Sequence, residues 1–269
     1  MAAEIQMAAS PRYPFLDNLR GITLTSMILY HAVWDLVYIF GVPWDWFGSF
    51  GAYLWQQSIC WTFILLSGFC QGLARSGEAA SKDAVRSLRA AKNGLTIFGA
   101  GLLVTAVTLA FMPAERVVLG VLTLIGSCML LLVPLRKVLD RIHPAIGLMI
   151  AFLLFALFKG VNGGWLGFLD IPLFHLPGWL YADLCTTYLG FPTADFYSTD
   201  YFSLLPWFFL FLTGYFLCRF LSRKGKLRLP AQRPLPLFAF MGRHSLVIYL
   251  LHQPIVYGAL VCGSVFFAF

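Results

Sequence analysis

Long apolar runs broken by short, charge-bearing polar segments set the pattern of this chain. Seven runs could cross a bilayer, at residues 19–40, 51–73, 94–112, 117–135, 144–160, 202–221 and 245–267; a span needs roughly 17–25 predominantly apolar residues. The fifth is the shortest, and Lys159 at its end can snorkel to the interface. The pattern predicts an all-α fold: a polytopic membrane helical bundle of about seven transmembrane helices. Residues 1–15 read as a cytoplasmic N-terminal tail and 16–269 as a single transmembrane domain. The tail lacks the apolar stretch and small-residue cleavage signal of a secretory leader, so the first span itself directs insertion. Neither an internal repeat nor a matched pair of Gly/Pro-broken spans is visible.

Charge placement adds an orientation. With the N-terminus inside, every one of the 19 basic residues except Arg116 and Lys159 falls in an inner segment, which is the positive-inside pattern. The expected topology is N-in/C-out, with residues 161–201 forming a long outer re-entrant or lid segment. An inside N-terminus and a last span without lysine exclude a retinal pigment or a seven-span receptor. Composition agrees: 59% of residues are hydrophobic and 12% charged, against roughly 25% charged in soluble domains. The net charge of +7 suits membrane lipids and a phosphorylated cytosolic ligand, and requires no nucleic acid. Of the six cysteines only Cys185 lies outside a span, and no CxxC or Cys/His ligand spacing occurs. Neither a disulfide framework nor a metal is expected.

Ionisable groups at bilayer depth mark candidate chemistry. His31 and Asp35 lie in the first span four residues apart, hence on one helix face; a carboxylate there can orient an imidazole acting as a general base. Arg20 stands at the inner mouth of that span with Asp17 three residues before it. His31 is eleven residues on, roughly 16 Å deeper at 1.5 Å per residue. In the last span His252 precedes Pro254, a helix break of the kind found where a span lines a cavity; a core histidine bonded to a carbonyl is the competing reading. Lys82, Arg86, Arg89 and Lys92 form a helical stripe that suits phosphate groups, or simply anchors the topology. The outer segment mixes many aromatic rings with acids. Trp179, Asp183 and Asp200 there, with Trp34 and Tyr249 in the spans, are candidates to contact a sugar, although an aromatic interfacial belt would look the same.

Asp17-Asn-Leu-Arg20-Gly21, Trp61-Thr-Phe-Ile-Leu-Leu-Ser67-Gly68, Leu119-Gly-Val-Leu-Thr-Leu-Ile-Gly126, Asp200-Tyr-Phe-Ser-Leu-Leu-Pro206-Trp207 and Gly242-Arg-His244-Ser-Leu-Val-Ile-Tyr249-Leu-Leu-His252-Gln-Pro254 occur in that order. Together they resemble the catalytic-domain family of heparan-α-glucosaminide N-acetyltransferase, and most closely its short bacterial members. Arg20 followed after ten residues by His31, and the Arg86/Arg89 pair, resemble the signatures of the related acyltransferase family 3. The resemblance implies an integral enzyme of the bacterial inner (plasma) membrane that moves an acyl group, most simply acetyl. The donor would be cytosolic acetyl-CoA or another acyl-CoA, and the acceptor an amine or hydroxyl of an extracytoplasmic sugar or glycan. It assigns the coenzyme A side to Arg20, Lys82, Arg86, Arg89 and His252. The lysosomal enzyme's catalytic histidine belongs to the segment after its first span; residues 32–57 contain none here, so His31 takes that role, oriented by Asp35. The usual histidine of the short members' Gly-Ile-Leu-His-like segment is replaced by Thr123. A proton-coupled transporter or flippase for an anionic or lipid-linked metabolite is the alternative that the same buried pair would serve. The expected partners are acyl-CoA, the glycan acceptor and membrane lipids, with a homodimer left open.

Overall fold

The computed structural model describes residues 13–73, 83–168, 171–223 and 235–267, without the side chains of 83–86 and 265–267. Lys82 and tail residues 1–12 lie outside the described residues. Among these residues nine α-helices form: α1 (Pro14–Tyr38), α2 (Phe50–Leu73), α3 (Asp83–Phe111), α4 (Val121–Leu139), α5 (Pro144–Phe158), α6 (Leu184–Leu189), α7 (Leu204–Arg223), α8 (Pro236–Arg243) and α9 (Ser245–Phe267). Proline opens α1, α5 and α8, where its fixed φ suits the first turn and its missing N–H would have no helical partner. α3 starts eleven residues before the apolar run it contains, so the basic stripe continues the helix.

Five helical segments are long and apolar enough to cross a membrane among the described residues: Ser87–Phe111, Val121–Leu139, Pro144–Gly163, Leu204–Arg223 and Ser245–Ser264. α1 and α2, at 25 and 24 residues, have the length of the two remaining expected spans but not the apolarity. α1 carries Asp17, Asn18, Arg20, His31 and Asp35, and α2 carries Gln56, Gln57 and Gln71. The protein is therefore a mostly helical, polytopic membrane protein.

The segment 161–201 departs from the all-α expectation. Residues Trp165–Phe168 (β1) and Ile171–His175 (β2) pair as an antiparallel hairpin, Trp165 opposite His175 and Phe168 opposite Ile171. The register is irregular between Leu166 and Gly167, where a side chain on Gly167 would strike the Ile171 carbonyl. Aromatic and branched residues favour such a ribbon, and Gly164, at φ 84°, takes a left-handed conformation natural to glycine.

The chain divides into two compact units, one of residues 1–49 with 228–269 and one of 50–227. In the larger, α4 and α7 each bury half of their apolar window whereas α3 buries 11%, leaving most of α3 for lipid. Close helix pairs rest on glycine. A Cβ on Gly68 of α2 would strike the Phe211 carbonyl of α7, and one on Gly214 of α7 the Leu65 carbonyl of α2. Gly126 of α4 lies against the Phe98 backbone of α3 in the same way. Small residues that let backbones touch are the usual means of packing helices in lipid, where no hydrophobic force separates helix from solvent. In the smaller unit α1 packs on α8 and α9, and Phe47 inserts beneath Tyr30 and Tyr38, ring centroids 5.1 and 5.9 Å apart.

Candidate functional site

The spacing of His31 and Asp35 turns both toward α9. Asp35 has no exposed surface, and its Oδ1 accepts a 2.7 Å hydrogen bond from Gln253 Nε2 of α9. Among the described residues the hydrogen bond seen at this carboxylate comes from Gln253 and not from His31. Four-residue spacing places two side chains on one face, but a neighbouring helix can still claim one of them, and here the amide of Gln253 reaches the carboxylate. His31 instead faces His252, ring centroids 5.0 Å apart at 57°.

His252 is 8% exposed. Its Nδ1 bonds the carbonyl oxygen of Tyr249, and because a carbonyl only accepts, Nδ1 carries the proton. Nε2 is thereby left with its lone pair, and among the described residues it is a buried nitrogen without a hydrogen-bond partner. The carbonyl bond of the competing reading is thus present at Nδ1. Tyr249 also brings its own ring to 5.4 Å from that of His252. Half-buried Trp34 lies 5.2 Å from Tyr38, the two rings tilted by 42°.

The Asp17–Gly21 motif has a physical use: it clamps α1 to α8. Arg20 Nη1 lies 3.5 Å from Asp17 Oδ1 and donates to the Gly242 carbonyl at 3.3 Å. Asn18 Oδ1 accepts from the Leu235 N–H at the start of α8, at 3.2 Å. A Cβ on Gly21 would strike the Phe238 carbonyl, and one on Gly242 the Asp17 carbonyl. Sequence reasoning paired Arg20 with Asp17 but missed Asn18, Gly242 and Gln253. An uncharged amide beside a histidine at span depth was the available signal for Gln253.

The remaining candidates belong to the larger unit. Arg89 is exposed on α3; Arg86 lies on the same helix with its side chain outside the described set. Trp179 is 75% exposed. Asp183 caps α6: Oδ1 accepts the Thr186 N–H at 2.8 Å while its own N–H donates to Thr186 Oγ1 at 3.0 Å. Asp200 Oδ2 accepts the Val121 N–H at 3.4 Å, supplying the carboxylate that Gly120, as the cap of α4, does not have. In the same segment Tyr201 donates to the Thr187 carbonyl, Tyr181 to the Val161 carbonyl, and Asn162 Nδ2 to Ser203 Oγ at 3.0 Å. Burial pushes the Tyr201 phenol up to about 12. Among the described residues no cluster of three or more His, Cys, Asp or Glu could hold a metal ion.

A family model described as "Heparan-alpha-glucosaminide N-acetyltransferase, catalytic" matches residues 12–254. No curated protein and no solved structure matches the chain.

Proposed function

The chain belongs to the heparan-α-glucosaminide N-acetyltransferase catalytic family, and on that premise we propose that it transfers an acetyl group from acetyl-CoA to an amine or hydroxyl of an extracytoplasmic sugar. One observation carries the reading: His31 faces His252, which has its proton fixed on Nδ1 and, among the described residues, a buried Nε2 lone pair without a hydrogen-bond partner.

In the proposed step the acceptor nitrogen or oxygen attacks the thioester carbonyl carbon. The C–S bond then breaks, and coenzyme A leaves as the thiolate. His31 takes the acceptor proton and can return it to the departing sulfur, so the ring is unchanged over the cycle. A base needs its other nitrogen held, and a neutral imidazole has only one N–H with which to be held. The Nε2 lone pair of His252 is the acceptor suited to that N–H. His252 is thus a positioning residue, and Asp35 acts one step further out by fixing Gln253, the neighbour of His252 in α9. On the donor side Arg86 and Arg89 of α3 are proposed to take phosphates of coenzyme A, with Arg20 and Lys82 as further cations; guanidinium binds phosphate bidentately. Trp34, Tyr249, Trp179, Asp183 and Asp200 remain candidates for the acceptor side, the last two beside their capping bonds.

The test is acetyl-CoA consumption by purified protein in the presence of glucosamine-terminated acceptors. His31→Ala should abolish thioester cleavage in a folded protein, and near wild-type turnover would end the mechanism. His252→Ala should depress kcat with little change in the KM for acetyl-CoA, and should shift the pH profile of kcat, which a merely structural loss would leave in place. Labelled sugar accumulating in vesicles without thioester cleavage would return the chain to a proton-coupled carrier.

A further inference from the structure

A cavity of about 520 Å³ opens where α4 turns into α5, against the ends of α2 and α7. Its wall is basic, with Arg141, Arg219 and Arg223 beside His143 and one acid, Asp140. The acid is already committed. Asp140 Oδ1 accepts the Tyr215 hydroxyl at 2.8 Å and lies 3.6 Å from Arg219 Nη1. Arg219 also donates to the Leu139 and Asp140 carbonyls at 2.8 and 3.0 Å. It rests over the Tyr215 and Phe216 rings, 5.7 and 5.9 Å from their centroids.

Arg141 and Arg223 are different. Both are exposed, and among the described residues neither side chain has a hydrogen-bond or ion-pair partner. The cavity therefore has one arginine locked as part of its frame and two with their forks open, while its carboxylate is neutralised from within. Two like charges held at one concavity repel each other, and an anion placed there relieves that cost. The volume falls within the range of small-ligand sites, about 300–1,000 Å³, and exceeds what a bare inorganic ion fills.

We propose that this pocket binds a phosphate-bearing anion, with Arg141 and Arg223 as its bidentate ligands and Arg219 as their fixed support. The chemistry is that of a phosphodiester or phosphomonoester. Its source is either the headgroup of an anionic phospholipid or a soluble phosphorylated molecule. The pocket goes beyond the acetyl-transfer reading and does not depend on it, since none of its residues has a part in that chemistry.

The experiment uses the whole purified chain in neutral detergent with three probes: short-chain phosphatidylglycerol, short-chain phosphatidylcholine and 3′-phosphoadenosine 5′-phosphate, read by native mass spectrometry and by titration. The expected result is that phosphatidylglycerol or the nucleotide binds and phosphatidylcholine does not. R141Q with R223Q should weaken that binding roughly ten-fold or more, because each arginine contributes a charge-assisted contact. K137Q, which removes an exposed charge at the same end of α4 but outside the pocket, should leave it unchanged. Phosphatidylglycerol as the sole binder assigns a lipid headgroup, and the nucleotide as the sole binder assigns a soluble ligand. Binding that the paired substitution leaves intact, or no binding by either anion, overturns the site. The single variants R141Q and R223Q, each of an exposed side chain, keep the test in force if the double variant does not fold.

Discussion

A half-buried amide decides how the candidate site is held at the level of single residues. Gln253 donates to Asp35, so Gln253→Leu takes one donor from a fully buried carboxylate. The expected loss is about 1–3 kcal/mol of stability, read as a lowered melting temperature in detergent, with a fall in kcat as His252 loses its support. Asp35→Asn keeps an acceptor oxygen toward Gln253 and should be milder. Sequence spacing put His31 and Asp35 on one face, and both turn toward α9. Periodicity along one helix does not reveal which side chain of another helix will reach in, so the carboxylate's partner was visible only in the fold. Tyr201 adds a pH dependence. Its folded-state value of about 12 stands above the ordinary 10.0, so its contribution is fully present below pH 10 and is lost as the pH rises through 12. Circular dichroism across pH 9–12 should show a loss of stability that Tyr201→Phe reduces.

Elements were legible to the degree that one signal governed them. α9 coincides with the apolar run at 245–267, and α5 begins where its proline predicts. α3 extends well before its apolar run because helix formation tolerates charge on an exposed face, and the run alone reports only the greasy part. The hairpin was missed because β1 and β2 have four and five residues, too few for a period-2 signal inside an aromatic-rich loop. Asp200 shows how an element can claim a residue that looks free in sequence. As the cap of α4 its replacement by alanine should cost about 1 kcal/mol, while Asp200→Asn retains the acceptor oxygen and should cost less. If the acceptor's KM rises with Asp200→Asn while the melting temperature stays, a substrate role stands beside the cap. Glycine contacts are a harder constraint: Gly214→Val should abolish the folded protein, because the new side chain would meet the Leu65 backbone, as a collapsed size-exclusion profile would show.

At the scale of the whole molecule the positive-inside pattern carries a directional prediction. Cys185 is exposed in the segment which that pattern puts outside, so an impermeant maleimide should label it in right-side-out vesicles and spare it in sealed inverted ones. The reverse pattern would invert the topology and move the acceptor side with it. The contact of α1 with α8 has a consequence in time. Asp35 and Gln253 stand 218 positions apart, and the motif around Arg20 finds its backbone partner only when α8 exists. During synthesis α1 therefore stays without these partners until α8 and α9 have been made. A ribosome stalled before residue 235 would leave a membrane-inserted fragment with one histidine of the pair and no second one to meet it. His31 and His252 therefore meet only once α9 has been made, after the eight helices that precede it among the described residues.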